Sequence, residues 1–149
     1  MESLGLDPRL LEVVRELGIE SFTEPQVRAI PRILSGSNVL LVAPTGIGKT
    51  EAALLPILHH ILRDRPPPVS CLYITPLRAL NRDMLRRMSF FAERLGLQVA
   101  VRHGDTSPQE RARITRHPPD VLITTPETFQ ILFTGRKLRD QLKTVRWVV

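Results

Sequence analysis

Hydrophobic positions fall into two regimes along the chain. Up to Leu34 they recur at helical spacing. Leu10, Leu11, Val14 and Leu17 follow Asp7-Pro8, where a capping carboxylate and a proline tolerated in the first turn mark a helix start. Gly18 is placed to close that helix from a left-handed conformation. A second helix is predicted from Thr23-Glu24-Pro25-Gln26 toward Leu34, kinked at Pro31. Ser35-Gly36-Ser37 reads as a turn. From Val39 onward, short apolar runs alternate with amphipathic stretches. Val39-Leu40-Leu41-Val42, Val69–Ile74, Leu97–Val101, Val121–Thr124 and Val145–Val149 are predicted as five strands, the first buried on both faces. Helices are predicted between them over about 49–62, 108–116 and 127–133. A further helix is read from Leu77, with Leu77, Leu80, Met84, Met88, Phe91 and Leu95 on one stripe and Gly96 at its end. Arg63–Pro68, with three consecutive prolines, is an exposed connector.

Strands alternating with helices predict βαβ units, hence an α/β fold with a mostly parallel sheet and helices on both faces. Right-handed crossovers bring the carboxyl ends of all strands to one edge, where such sheets bind ligands. The loops 43–50, 75–78, 103–107 and 125–127 are expected there. The change of pattern divides the chain into an N-terminal helical segment, 1–36, and a sheet-forming segment, 37–149.

Composition narrows the classes. At 149 residues, 42% hydrophobic and 24% charged, the chain can bury a core without staples, and wholesale disorder is excluded. A single cysteine, Cys71, rules out a disulfide scaffold and fits a reducing compartment. The N-terminus lacks the order of a secretory signal, and no apolar run approaches the roughly 18 residues of a membrane span. An intracellular, cytoplasmic chain without a membrane partner is the expectation. The net charge of +6 is unevenly spread: residues 1–60 sum to −2 and residues 61–149 to +8. Eighteen of the twenty-one basic residues are Arg. A polyanion partner and a heat-adapted or composition-driven surface both fit that bias.

Ala43-Pro44-Thr45-Gly46-Ile47-Gly48-Lys49-Thr50 follows a predicted strand and opens a predicted helix. It departs from G-x-x-x-x-G-K-[ST] only at Ala43. Gly46 and Gly48 let successive N–H groups turn inward toward phosphate oxygens, and the helix N-terminus adds its dipole. Lys49 is placed to reach the β- and γ-phosphates and Thr50 to ligate Mg²⁺. Thr45 and Ile47 complete the cradle of a nucleoside-triphosphate site. Gln26 has a carboxamide that could read adenine N6 and N7, yet Thr23 and Gln26 also have capping-box spacing, and both readings stand.

Arg78, Arg82 and Arg86 step by four along the helix predicted from Leu77, with Arg87 beside them. Like charges at that spacing repel, so the stripe is either a solvated face or a track for phosphates. Thr75-Pro76 and Thr125-Pro126 each place a capping hydroxyl before a proline, leaving N–H groups that can hold backbone phosphates. His59-His60 lack partners at metal-ligand spacing, and Cys71 and Trp147 read as packing.

In order, these motifs resemble those of superfamily 2 helicases, most closely the large helicase-related (Lhr) family. Phe22–Gln26 is similar to the adenine-sensing Q motif, and Ala43–Thr50 to motif I, where Ala is ordinary at the first position. Tyr73–Asp83 resembles motif Ia, and His103–Thr106 and Ile123–Thr128 resemble the next two motifs, which touch the nucleic-acid backbone. The similarity runs from about Phe22 to Val149. It implies a RecA-like P-loop NTPase domain, truncated, the first of two such domains that clamp a single strand and step along it with ATP and Mg²⁺. The substrate implied is single-stranded or partly duplex nucleic acid, DNA before RNA, with 3′-to-5′ unwinding. Lys49 and Thr50 would be catalytic, with Gln26 and Thr45–Thr50 holding the nucleotide and Thr50 the metal. Arg78 and Thr125 would contact nucleic acid, and no motif role carries over to Arg82 or Arg86.

The family's Asp-Glu-x-His box, expected after the strand that begins near Val145, is not among these residues. The expectation is therefore a helicase fragment that binds Mg·ATP without hydrolysing it. The rival reading is a non-catalytic nucleotide- and nucleic-acid-binding module. A small P-loop kinase or GTPase would need a lid or a guanine-reading motif, and neither is present.

Overall fold

The computed structural model describes residues 1–149, the side chain of Leu138 excepted. The chain forms two compact units, Met1–Arg65 and Pro66–Val149.

The first unit is helical. Helix α1, Pro8–Glu16, begins as its sequence dictates: the Asp7 side chain accepts from Arg9 N–H at 2.9 Å, and Pro8 takes the first turn. Gly18 follows it at φ +79°, its N–H donating to Arg15 O at 2.9 Å. Helix α2, Glu24–Leu34, contains Pro31, and helix α3, Lys49–Asp64, contains Pro56. Nine side chains of α3 are buried, including Leu54, Leu55, Leu58 and Ile61. Leu10 and Val14 of α1 and Ile30 of α2 are fully buried as well, and both helices lie in contact with α3, so these side chains form the core of this unit.

Asp7 N–H donates to His59 Nδ1 at 3.0 Å, a bond that requires the ring to be unprotonated at that nitrogen. Burial, then the charges of His60 and Arg63, push the His59 pKa below its ordinary value against the pull of Asp7 and Asp64. A histidine depressed in the folded state stabilises it fully above the unfolded pKa, and the contribution disappears as pH falls below about 6.5 through the folded value. Melting curves between neutral and mildly acidic pH should show that loss, and His59→Gln, which keeps an acceptor, should flatten it. Identical pH profiles for the two proteins would refute the assignment.

The segment Val39–Val42, expected as a doubly buried strand, forms no strand. Leu40 is 90% and Val42 85% exposed. The correction has a simple cause. A parallel strand exists only by pairing, and among the described residues no strand pairs with this one.

The second unit holds a four-stranded, wholly parallel sheet of β1 (Cys71–Ile74), β2 (Val99–Arg102), β3 (Val121–Thr124) and β4 (Trp147–Val148), in the order β2-β3-β1-β4. All four residues of β3 are buried, as expected of a central strand covered on both faces. Cys71 pairs with Val121 on one side and Trp147 on the other. Burial pushes the Cys71 thiol up to about 12, so it is a core residue and no nucleophile. Val69, Leu72, Ala100, Ile114, Leu122 and Leu132 make the core, with Phe129 and Val145 packed against it.

The helix expected from Leu77 is two elements. Leu77–Ala79 is a 3₁₀ turn, and helix α4 runs Arg82–Leu95. Asn81 separates them, its side-chain oxygen accepting from Met84 N–H at 2.8 Å as the α4 cap. The competing signal was present in Asn81-Arg82-Asp83, a cap followed by an acid in the first turn. Helix α5 is Pro108–Arg116, α6 Pro126–Thr134 and α7, not foreseen, Arg136–Gln141.

Candidate nucleotide and nucleic-acid sites

In the first unit the loop before α3 turns on two glycines in left-handed backbone, Gly46 at φ +80° and Gly48 at φ +81°. Gly48 is the residue on which α3 starts, so the following N–H groups are the unpaired ones of a helix N-terminus. Lys49 Nζ donates to the carbonyls of Ala43 and Pro44, both at 2.6 Å. The ammonium is thus held inside the curl of the loop by the acceptors the loop itself offers.

Gln26 reaches this loop. Its Nε2 donates to Gly48 O at 3.1 Å, while its Oε1 accepts from Thr23 N–H at 3.0 Å. Thr23 Oγ1 donates to Ile47 O at 3.0 Å. A Cβ at Gly48 would collide with Gln26 Nε2. Gln26 is only 3% exposed, so its carboxamide is committed to the end of α2 and to the phosphate loop. Of the two readings the residues left open, the capping half is visible in these bonds. Glu51, which sequence reasoning did not single out, is buried in the first turn of α3, its Oε2 3.5 Å from where that Cβ would stand. Its position just after Lys49-Thr50 was the available signal. Thr45 and Gly46 lie exposed, and Ile47, Lys49 and Thr50 half-buried.

In the second unit three loops leave the carboxyl ends of the strands. Arg78 is exposed on the 3₁₀ turn, off the helix that carries Arg82 and Arg86, so the expected three-residue stripe is broken. Arg86 lies 3.6 Å from Asp83. Thr125 caps α6 as predicted, its Oγ1 accepting from Thr128 N–H at 3.3 Å and donating to Thr128 Oγ1 at 3.1 Å. Thr75 does not cap, because the 3₁₀ turn begins from Pro76. Instead its backbone N–H donates to Thr124 O at 2.9 Å and carries the sheet one residue further.

The turn His103–Thr106 is tied internally. His103 N–H donates to Thr106 Oγ1 at 2.9 Å, and Asp105 N–H to His103 Nδ1 at 3.1 Å. Arg111 Nη2 donates to Gly104 O at 2.6 Å. Arg102 and Arg111 flank this turn and were passed over in the sequence, where a lone Arg at a strand end carries no periodic signal. Among the described residues no group of His, Cys, Asp or Glu could hold a metal, and no helix is long and apolar enough to cross a membrane.

A glycine-turned loop opening a helix and a wholly parallel sheet are the parts of a RecA-like α/β fold of the P-loop class. The family model for DEAD/DEAH box helicases matches residues 23–149, and the chain belongs to that family. It is similar to the ATP-dependent helicase Lhr-Core of Methanothermobacter thermautotrophicus, 42% identical over 146 residues that cover 87% of this chain and 17% of the relative. The Lhr-Core protein of Sulfolobus acidocaldarius is 40% identical over 141 residues, 86% of this chain and 16% of the relative. Among solved structures, Mycobacterium smegmatis helicase Lhr bound to ssDNA and AMP-PNP matches with a TM-score of 0.80 at 35% identity, over 99% of this chain and 20% of that one. These relatives bear out the Lhr resemblance drawn from the motifs. The chain spans about one sixth of the length of the two curated relatives.

Proposed function

We propose that this chain is the Mg·ATP- and single-strand-binding part of an ATP-dependent DNA helicase or translocase. The observation that carries the reading is the loop of Gly46 and Gly48 before α3, with Lys49 Nζ turned into it. An ATP triphosphate fits such a cradle. Its oxygens can take over the donors that Lys49 now gives to two carbonyls, with the inward N–H groups and the helix dipole beside them. Lys49 neutralises charge on the phosphates, Thr50 holds Mg²⁺, and Thr45–Gly48 wrap the chain around them. Gln26, already bonded to Gly48 O, links adenine recognition to the state of that loop. The bound nucleotide supplies the free energy of a cleavable phosphoanhydride.

In the second unit Arg78 and the amino end of α6 at Thr125 contact the sugar-phosphate backbone. The Lhr structure with ssDNA and AMP-PNP supports both ligand classes for this chain. The functional division is 1–36, carrying the Q motif, and 37–149, carrying the remaining motifs. A second RecA-like domain is the partner needed for stepping, and the expected result for the chain alone is binding without turnover.

Titration with a fluorescent ATP analogue and Mg²⁺ tests the nucleotide half. Lys49→Ala should lower affinity at least about tenfold, the effect of losing a charge-assisted phosphate contact. Equal binding by the variant, or Lys49-dependent hydrolysis by the chain alone, would overturn the corresponding part of the proposal.

A further inference from the structure

Two guanidinium groups in the second unit are held where the protein does not satisfy them. Arg102 Nε and Nη1 and Arg111 Nε are all buried, and none has a hydrogen-bond partner. Neither residue forms an ion pair with a carboxylate among the described residues. Arg111 reaches back to Gly104 O, two residues after Arg102, so both side chains flank one turn, and burial, then the charge of Arg111, lowers the Arg102 pKa from its ordinary value. Covered donors of like charge without an acceptor are unfavourable unless an anion completes them.

Their placement is fixed from several sides. Arg102 ends β2 in register with Thr124 of β3, whose Oγ1 donates to Arg102 O at 2.7 Å. Arg111 is anchored from α5 through its bond to Gly104 O. The next residue after Thr124 is Thr125, the cap of α6, whose hydroxyl is spent on Thr128. At this part of the sheet's carboxyl edge the Thr125 hydroxyl is therefore already used, and the charged donors left unsatisfied are those of Arg102 and Arg111.

We propose that Arg102 and Arg111 together hold one phosphodiester group of a bound DNA single strand, beside the amino end of α6. A phosphodiester fits because it is a singly charged oxyanion with two free oxygens. It can accept from both forks at once and remove their mutual repulsion. The inference rests on the strand-binding reading given above, and adds to it a contact separate from Arg78.

The test is anisotropy of a labelled oligothymidylate titrated with the full chain over a series of salt concentrations. Each phosphate neutralised on a single strand contributes about 0.7 to the slope of log affinity against log salt. Arg102→Gln/Arg111→Gln should therefore lower the slope by about 0.7, while Arg102→Lys, which keeps the charge, should retain it. A slope unchanged in the double variant overturns the proposal. If Arg78→Gln alone flattens it, strand binding stands and this site falls; if the unsubstituted chain does not bind the oligonucleotide, both fall.

Should the Gln variant fail to fold by circular dichroism, labelling of the unsubstituted chain with phenylglyoxal decides. Oligothymidylate should protect Arg102 and Arg111 several-fold. Labelling equal with and without the strand, or protection by inorganic phosphate alone, overturns the assignment.

Discussion

Replacing Gly48 with alanine is expected to lower nucleotide affinity by more than about tenfold while leaving the helical unit folded. Two costs coincide at this position. The backbone sits at φ +81°, where an L-residue is disfavoured by about 1–2 kcal/mol. The new Cβ would also meet Gln26 Nε2, and that side chain is buried and bonded at both ends, to Thr23 N–H and to Gly48 O. It cannot swing aside without releasing the end of α2 or the loop. Gly46 is the natural control. Its φ is +80°, yet nothing lies within 4 Å of where its Cβ would stand. Gly46→Ala carries the backbone cost alone and should impair binding less. The measurement is a titration of both variants with a fluorescent ATP analogue, with a melting curve for each. Equal losses would mean that Gln26 does not brace the loop, and an unaffected Gly48→Ala would remove the loop from the phosphate site.

What could be read from the residues, and what could not, follows the range of the forces involved. Caps and turns are local, so Asp7-Pro8, Gly18, Thr23 and Thr125-Pro126 all stand where short-range chemistry places them. The strands β1, β2 and β3 each lie within about two residues of their apolar runs; β1 and β3 have a neighbour on both sides, and such strands need side chains buried on both faces, while β2 is an edge strand paired with β3 alone. Val39–Val42 has the same composition, yet pairing is not a local property and the run lies open. Leu77–Leu95 failed for the opposite reason: a long helical stripe outweighed a single cap. The apolar period continues through Asn81, but its side-chain bond to Met84 N–H restarts the helix and leaves Arg78 on a turn of its own.

The site divides along the same line. The phosphate loop was legible because its spacing encodes backbone geometry directly, and the left-handed glycines are found at the positions the motif demands. Gln26 was legible as a candidate and ambiguous in role, since one carboxamide can serve a helix end and a ligand. Arg102 and Arg111 were not legible. Their significance lies in what they lack, and an unsatisfied buried donor is a property of the packed molecule rather than of any spacing.

The contrast between the two kinds of apolar run leads to the largest stability difference expected in the chain. Leu122 lies in β3 at 1% exposure, packed in the core with Leu72, Ala100 and Leu132. Leu122→Ala removes buried methyl groups and leaves a cavity in a central strand, a change that costs about 2–5 kcal/mol. Leu40 stands in a run that reads identically in the sequence but is 90% exposed. Leu40→Ala should change stability by no more than about 0.5 kcal/mol. Urea unfolding separates the two, and Trp147 in β4, paired through β1 to β3, provides a fluorescence signal from within the unit that Leu122 stabilises. Far-UV circular dichroism follows the helices of both units, so the effect of Leu40→Ala is read as the shift of that transition from the one of the unsubstituted chain. The expected result is a large fall in the Trp147-monitored midpoint for Leu122→Ala, and an unmoved helical transition for Leu40→Ala. A Leu40→Ala cost comparable with that of Leu122→Ala would show that Val39–Val42 is buried in solution after all. The doubly buried strand predicted from its composition would then be restored.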